Sequence, residues 1–356
     1  MSNESGNLVR EIVFGDRVIS DANEPFVIAE LGHNHQGNLE TCLQMIRAAA
    51  FAGASAVKLQ KRNNRELFTE DAFNAPYNSE NAFGSTYGEH REALEFGEAE
   101  YRACITEANR NNILFFATAF DFSSADFLAS LNVPGFKIAS GDLKSLPLLK
   151  YIAKLGKPMI ISTGGANLGD IDAAITTIKD EGTPLAVLQC TAAYPPRYEE
   201  LNLNVIKTFR DRYPDVVVGY SGHDSGIAMS LAAYILGARV IEKHFTLNRA
   251  MKGTDHAFSL EPDGMRKLVR DLARARIALG TGIKETYPSE LAPLVKMGKK
   301  ITAAKNIARG SVILESDLAY KSPGDGLSPS QSESIIGHTA LREIVAGDSL
   351  QLNDVN

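Results

Sequence analysis

The chain lacks the features that mark disulfide-rich, zinc-binding and membrane-spanning proteins. It has no tryptophan and only three cysteines in 356 residues, Cys42, Cys104 and Cys190. Their odd number and wide spacing predict neither a disulfide framework nor a cysteine-bound zinc, and indicate reduced thiols in a cytoplasmic protein. No run approaches the roughly 18 consecutive apolar residues that a membrane-spanning helix needs, so we expect no membrane partner.

A basic excess is also missing. The formal net charge is -6, which argues against a general nucleic-acid binder or a protein of anionic membranes. An anionic small-molecule substrate stays open, because a few buried lysines are enough to hold a phosphate. Residues 1–14 show no basic segment followed by a long apolar run, so we expect no signal peptide. Hydrophobic residues make up 44% of the chain, which predicts a large core.

What the sequence does contain is a repeated alternation of short apolar runs and amphipathic segments. Eight runs predict strands, and they cover residues 26–31, 56–60, 113–118, 135–140, 158–163, 185–190, 216–221 and 239–244. Eight β-then-α units over about 250 residues match a (β/α)8 TIM barrel. The alternative is an open doubly wound sheet, but eight consecutive units without a strand reversal favour the barrel.

The two ends of the chain predict additional elements. Residues 9–14 and 17–20 flank Gly15-Asp16 and predict an N-terminal β-hairpin that plugs the bottom of the barrel. We assign residues 1–283 to the barrel with this hairpin, 284–299 to a linker and 300–356 to a small β-rich module. A module of fewer than about 60 residues buries little core alone, so we expect it to lean on another surface.

Polar residues end every predicted strand, where TIM barrels carry their chemistry. These residues are Glu30, Lys58, Gln60, Thr118, Lys137, Ser140, Ser162, Thr163, Gln189, Thr191, Ser221, His223, Glu242 and His244. Any one of these residues alone is also explained by capping a strand or by a hydrogen bond to a loop. Together they predict a polar pocket at one rim of the barrel.

Two lysines, Lys58 and Lys137, fall within strands that should be buried. An unpaired ammonium group there is costly, and a bound phosphate or carboxylate would resolve that cost. The hydroxyl groups of neighbouring strand ends would add neutral donors to the same anion. A structural ion pair with Glu or Asp is the alternative, and a Schiff-base lysine is a second functional reading.

His223 and His244 end neighbouring strands and predict a pair of ligands for a divalent metal. With few other protein ligands, the expected ion is Mn²⁺, with Mg²⁺ or Co²⁺ as alternatives, and not a structural zinc. Two independent hydrogen-bonding histidines are the competing interpretation. His33, His35 and His256 are weaker candidates that would orient loops or substrate.

Several segments resemble motifs of the N-acetylneuraminate (sialic acid) synthase family, whose members carry a C-terminal antifreeze-like (SAF) domain. The matching segments are AELGHNHQG at 29–37, VKLQ at 57–60, KIASGD at 137–142, ISTG at 161–164, CT at 190–191 with YP at 194–195, GYSGH at 219–223, IEKHFT at 241–246 and KSPGDG at 321–326. Their order and coverage, from about residue 10 to the C-terminus, support the resemblance better than any one motif.

The resemblance implies condensation of phosphoenolpyruvate (PEP) with an N-acetylmannosamine-type amino-sugar aldehyde. The products would be phosphate and a nonulosonate of the neuraminic, legionaminic or pseudaminic type. By resemblance, Glu30 is the catalytic residue, and His223 and His244 hold the metal. The implied PEP-binding residues are Lys58, Asn81, Thr118, Lys137, Ser140, Ser162 and Ser221. The implied sugar-binding residues are Gln60, Asp142, Tyr194 and Asp255. The family also implies a homodimer in which the SAF domain covers the partner's active site.

Three departures from the family pattern bear on the substrate. Ala192 stands where many members have Asn, Ser322 where many have Arg, and Asp142 where several have Glu. Loss of the planar arginine cation keeps a different, unacylated or phosphorylated, sugar open. A Schiff-base aldolase that uses Lys137 or Lys58 on the same barrel is the second alternative.

Overall fold

The computed structural model describes residues 9–356; residues 1–8, part of the segment that argues against a signal peptide, lie outside the described residues. The chain divides into two compact units, with the boundary between Leu279 and Gly280.

The first unit is a closed barrel of eight parallel strands, as the sequence predicts. The strands are β3 Phe26–Gly32, β4 Ala56–Lys61, β5 Leu114–Ala119, β6 Phe136–Ile138, β7 Met159–Ser162, β8 Leu185–Cys190, β9 Val217–Gly222 and β10 Val240–His244. The first and last barrel strands pair directly, with His244 opposite Glu30. Nearly every strand residue is buried, which explains why the strands read as continuous apolar runs rather than alternating ones.

Helices surround the barrel and connect its strands. They are α1 Leu39–Phe51, α2 Asn64–Leu67, α3 Glu70–Asn74, α4 Tyr87–Glu92, α5 Glu98–Arg110, α6 Phe122–Ser130, α7 Leu146–Ala153, α8 Leu168–Lys179, α9 Val205–Arg212, α10 Ala228–Ile235 and α11 Pro262–Leu279. Capping side chains fix several helix starts; Asn38, for example, accepts a hydrogen bond from the Thr41 amide at 2.8 Å. Among the described residues, no helix combines the length and hydropathy needed to cross a membrane.

The predicted hairpin is present as β1 Glu11–Phe14 and β2 Arg17–Ser20. Phe14 is fully buried at the bottom of the barrel, with its ring 4.9 Å from that of Phe116 and 5.8 Å from that of Phe26. At the adjacent Gly135, a Cβ atom would lie 2.2 Å from the Phe14 ring, so a glycine is required for this close approach. The hairpin therefore closes the barrel floor, opposite the C-terminal rim.

The second unit has its own small core around the antiparallel strands β11 Lys300–Ala303 and β12 Leu318–Lys321. The core residues are Ile301, Ala303, Ile307, Ile313, Leu318, Ile335, Ala340, Ile344 and Leu350. The stretch 284–299, assigned to a linker from its polarity, contains helix α12 Pro288–Met297. Pro288 favours the first helical turn, and Glu290 caps it by accepting a hydrogen bond from the Tyr287 amide at 2.7 Å.

We predict that Phe14→Ala destabilises the barrel by about 3–5 kcal/mol, because it empties a fully buried aromatic site that the surrounding rings cannot refill. Val13→Ala is the matched control, since Val13 is 54% exposed on the same strand; its effect should stay within about 0.5 kcal/mol. Calorimetric unfolding of both variants checks this. Equal losses of stability would contradict the role of the hairpin as a packed plug.

Candidate active site

The C-terminal ends of the barrel strands enclose a cavity of about 420 Å³. Every predicted site residue except Asn81 and Asp142 lines it: Glu30, Lys58, Gln60, Thr118, Lys137, Ser140, Ser162, Tyr194, Ser221, His223, His244 and Asp255. Most of the strand ends therefore converge on one pocket, whereas Thr163, Gln189 and Thr191 line a second cavity. Glu242 also lines the first pocket, as the strand-end pattern predicts, whereas Arg62, His90 and Arg91 were not assigned a role from the sequence.

Lys58 lies at the bottom of this pocket and has partners within the protein. Its Nζ is 2.6 Å from Glu30 Oε2 and donates a hydrogen bond to Thr118 Oγ1 at 2.8 Å. Glu242 Oε2 lies 4.0 Å away. Lys58 therefore forms the structural ion pair that was the alternative to a bound anion, because parallel pairing of β3 with β4 sets Glu30 directly beside Lys58.

Lys137 is similarly compensated. Its Nζ donates hydrogen bonds to Ser162 Oγ at 2.6 Å and to the Ile138 carbonyl at 2.9 Å, and lies 3.9 Å from Glu242 Oε1. Ser221 donates to the same carboxylate oxygen at 3.0 Å. Two ammonium groups and two carboxylates therefore share one buried, charge-balanced network.

The two carboxylates of the network differ in proton affinity. Burial raises the pKa of Glu30, and the Lys58 ammonium offsets this only in part. Burial acts in the same direction on Glu242, but Lys137 and Lys58 together bring the pKa of Glu242 below its ordinary value. A pair of acids with separated pKa values is a common arrangement for acid–base chemistry.

The two strand-end histidines lie side by side, with ring centroids 5.3 Å apart. His223 Nδ1 is 3.0 Å from the Thr191 carbonyl oxygen, so Nδ1 carries the proton and Nε2 keeps its lone pair. His244 Nδ1 is buried without a hydrogen bond and lies 3.6 Å from Asp255 Oδ2. Burial lowers the pKa of His244 and favours the neutral, ligating form of its imidazole.

This pair fits a divalent ion by its donor chemistry, through two adjacent imidazoles and the orphaned buried nitrogen of His244. Within residues 9–356, no group of three or more His, Cys, Asp or Glu side chains is arranged to hold a metal. The protein would therefore supply two ligands through His223 and His244, and water or substrate the others. Two independently bonded histidines remain the alternative.

Aromatic rings and a buried ion pair support the histidines. The Tyr194 ring packs 4.2 Å from the ring of His223, between centroids. On the outer face of β10, Lys243 Nζ lies 3.2 Å from Asp224 Oδ1, which also accepts a hydrogen bond from the Tyr220 hydroxyl at 2.8 Å. This pair ties the end of β9 to β10. It escaped the sequence analysis because neither residue reads as part of the inward-facing ring.

Sequence reasoning also missed a cationic group at the mouth of the pocket. Arg62 Nη1 lies 3.3 Å from His33 Nε2, and Arg91 Nη1 lies 3.4 Å from His33 Nδ1. Arg91 and the adjacent His90 belong to α4, in the connection between β4 and α5. Residues on such a connection do not end a strand, so the strand-end pattern could not indicate them.

Two predicted site residues lie outside the cavity lining. Asn81 Oδ1 accepts a hydrogen bond from the Gly253 amide at 2.9 Å, so it joins two loops at the rim. Asp142 ends the short 3-10 turn Ser140–Asp142, and its Oδ2 is buried without a hydrogen bond. Burial raises the pKa of Asp142 to about 6.

The fold and the pocket define a TIM-barrel protein with an enzyme-type site at its C-terminal rim. Residues 45–284 match the NeuB family, and residues 300–356 match the SAF domain. The chain belongs to the NeuB family, as its motifs indicate.

Named relatives share most of the chain. Human N-acetylneuraminate-9-phosphate synthase is 39% identical over 326 residues, covering 91% of each chain. Campylobacter jejuni N,N'-diacetyllegionaminic acid synthase is 38% identical over 320 residues, covering 89% of this chain and 96% of the relative. The crystal structure of the Leptospira borgpetersenii N-acetylneuraminic acid synthetase in complex with citrate superimposes with a TM-score of 0.71 at 34% identity, covering 81% and 96% of the two chains.

The raised pKa of Asp142 predicts a pH-dependent stability effect. Its folded-state pKa of about 6 exceeds the ordinary value of 3.8, so its contribution to stability is full below about pH 4 and is lost as the pH rises through about 6. Relative to the wild type, Asp142→Asn should therefore gain stability between about pH 4 and pH 7, by up to about 3 kcal/mol. Thermal unfolding of both proteins across this range measures it. A difference independent of pH would mean that Asp142 ionises normally in the folded protein.

Proposed function

We propose that the protein is a PEP-dependent nonulosonate synthase that acts on an amino-sugar aldehyde of the N-acetylmannosamine type. The observation that carries the proposal is the buried network of Lys58, Lys137, Glu30 and Glu242 beside the histidine pair. It offers ammonium donors for an anion and a carboxyl group of raised pKa within one pocket. Relatives named as N-acetylneuraminate-9-phosphate synthase and N,N'-diacetyllegionaminic acid synthase support the same class of reaction.

PEP would bind through the two lysines and the hydroxyl groups around them. Its phosphate and carboxylate together carry a charge of about -3 at pH 7, so their arrival would draw Lys58 away from Glu30. Glu30 then accepts a proton more readily, because it loses its stabilising cation. Thr118 and Ser162 already hydrogen bond to the lysines, and Ser140 and Ser221 face the same cavity.

The reaction joins C3 of PEP to the aldehyde carbon of the open-chain sugar. The aldehyde oxygen becomes a hydroxyl group, and water adds to C2 of the former PEP. Cleavage of the bond between C2 and the phosphate oxygen then releases phosphate and leaves a keto acid. A divalent ion held by His223 and His244 supplies polarisation of the aldehyde oxygen when bound. Glu30 takes the proton of the attacking water, and the buried lysines stabilise the anionic groups of PEP.

The sugar would occupy the side of the cavity lined by Gln60, Tyr194 and Asp255. Gln60 Nε2 donates to Glu30 Oε1 at 2.7 Å, which couples the sugar side to the catalytic carboxyl group. Burial raises the pKa of Tyr194, so its hydroxyl group stays neutral and can both donate and accept. An unacylated or phosphorylated sugar is the alternative acceptor.

We predict sugar-dependent phosphate release from PEP in the presence of Mn²⁺. The panel contains N-acetylmannosamine, its 6-phosphate, 2,4-diacetamido-trideoxyhexoses and mannose. Glu30→Gln keeps the size of the side chain but removes the proton acceptor, so kcat should fall by about 100-fold or more. Glu40→Gln, on the exposed start of α1, is the control and should retain activity. The absence of release with every sugar from the folded, Mn²⁺-supplemented wild type would reject the synthase.

A second prediction concerns the metal. Chelation should abolish phosphate release, and Mn²⁺ should restore it, if the histidine pair holds the ion. His244→Ala should weaken Mn²⁺ binding by about 10- to 100-fold, measured by calorimetry or by the Mn²⁺ paramagnetic signal. His338→Ala in the second unit is the control. Wild-type affinity in His244→Ala would favour the reading of two independent histidines.

A Schiff-base aldolase on the same barrel is the competing function. Burial lowers the pKa of Lys137, which would help its amine act as a nucleophile. Borohydride with pyruvate would then trap a covalent adduct at Lys137 or Lys58. We expect no adduct, because both amines are engaged in ion pairs and hydrogen bonds.

The assembly and location of the protein complete the proposal. We propose a homodimer in which the small domain covers the partner's pocket, and a cytoplasmic location. The nine-residue core of the second unit is small, which favours a covering surface. The three cysteines are free and buried, in keeping with a reducing compartment.

A further inference from the structure

We propose that Arg62 and Arg91 form a site for a phosphate group on the sugar, at the end remote from its aldehyde. This inference rests on the proposed function and names its acceptor as a phosphorylated amino sugar, such as N-acetylmannosamine 6-phosphate. It starts from the charges around these two arginines. Lys58 and Lys137 have carboxylates beside them, whereas Arg91 has none among the described residues.

The two guanidinium groups have too few counter-charges. Arg91 forms no ion pair with any residue in the described part of the chain. Arg62 is 8% exposed, and its nearest carboxylate oxygen, on Glu95, lies 3.9 Å from Nη1. The Glu95 carboxylate also forms an ion pair with Lys61, whose Nζ lies 3.3 Å from Oε2. Lys61 and Arg62 therefore share one close carboxylate, and Glu30 and Asp142 act on Arg62 only from a greater distance. Burial together with Arg91 lowers the pKa of Arg62 to about 10.

His33 cannot satisfy both arginines. Their Nη1 atoms lie 3.3 and 3.4 Å from its two ring nitrogens. Burial and these two cations hold the pKa of His33 far below its ordinary value, so its imidazole is neutral and has a single acceptor nitrogen. One guanidinium group thus faces an N–H of the ring. An anion bridging the two arginines would provide the missing acceptors.

Both arginines are held in place before any ligand arrives. Arg62 lies over the ring of Phe120, 3.6 Å from its centroid, and donates to Gln60 Oε1 at 2.8 Å. Arg91 donates from Nε and Nη2 to the Tyr87 hydroxyl at 3.0 and 2.8 Å. Two ordered planar donors on one anion match the geometry that arginine uses to bind phosphate.

The location fits the far end of the sugar rather than its aldehyde. Asp255 links the two ends of the pocket, since its Oδ2 lies 3.6 Å from His244 Nδ1 and its charge also acts on His33. An aldehyde near the histidine pair would extend its carbon chain past Asp255 toward the arginines. In an open-chain hexose, the terminal carbon is five carbon–carbon bonds from the aldehyde, so a 6-phosphate is the group that reaches them.

The test compares kcat/KM for N-acetylmannosamine and its 6-phosphate, from PEP-dependent product formation. We expect the wild type to prefer the phosphorylated sugar by about 100-fold or more, because Arg91 has no ion-pair partner among the described residues without it. Arg91→Gln and Arg62→Gln should each reduce this preference by about 10- to 100-fold, and Arg91→Lys should retain part of it. Arg102→Gln, an exposed cation on α5 paired with Glu98, is the control and should keep the full preference.

Two further readouts separate this inference from its rivals. If the arginines bind PEP instead, Arg91→Gln will raise the KM for PEP and leave the preference between the sugars intact, which overturns the proposal. Equal use of both sugars by the wild type also overturns it, while the synthase itself stands. Calorimetric binding of the 6-phosphate without PEP tests the site independently of turnover. Equal affinity of the wild type and Arg91→Gln for this ligand would reject the site even if no sugar reacts.

Discussion

The arrangement of the site depends on the charge balance between two buried lysines and two buried glutamates. An isolated charge at this depth would cost several kcal/mol, so each ammonium group needs a carboxylate beside it. Strand register supplies this: Glu30 is paired with Lys58 across β3 and β4. Glu242, on β10, reaches toward Lys137 on β6, on the other side of the barrel interior. That contact requires a closed barrel, because in an open sheet in chain order three strands would separate β6 from β10.

Closure of the barrel also brings the two histidines together beside Glu30. Pairing of β10 with β3 brings His244 opposite Glu30, and pairing of β9 with β10 brings the segment ending in His223 alongside. The candidate catalytic carboxyl group and both candidate metal ligands are thus neighbours through backbone hydrogen bonds rather than through flexible loops. A site built on strands is held more precisely than one built on loops.

Much of this could be predicted from the sequence. The eight apolar runs, the hairpin and the inward-facing residues at the strand ends follow from local pattern, and the runs fall within a few residues of the observed strands. The ion partners of Lys58 and Lys137 could not be predicted, because they depend on register and closure between strands distant in sequence. Arg91 escaped detection for a different reason: it lies on a short helix in a connection, where neither periodicity nor strand ends guide the search.

The structure thus divides one pocket into two electrostatic regions. Around Lys58 and Glu30 the charges are balanced, so a ligand entering there must exchange partners with groups already paired. Arg91, by contrast, has no ion pair within the described residues, and the nearest carboxylate oxygen lies 3.9 Å from Arg62, so an anion entering there meets cations without a close partner. An exchange of partners suits the part of a ligand that reacts, because a ligand that draws Lys58 away from Glu30 raises the proton affinity of Glu30. Cations without a close carboxylate suit a group that is held and does not react, because an anion can bind there without displacing an existing ion pair.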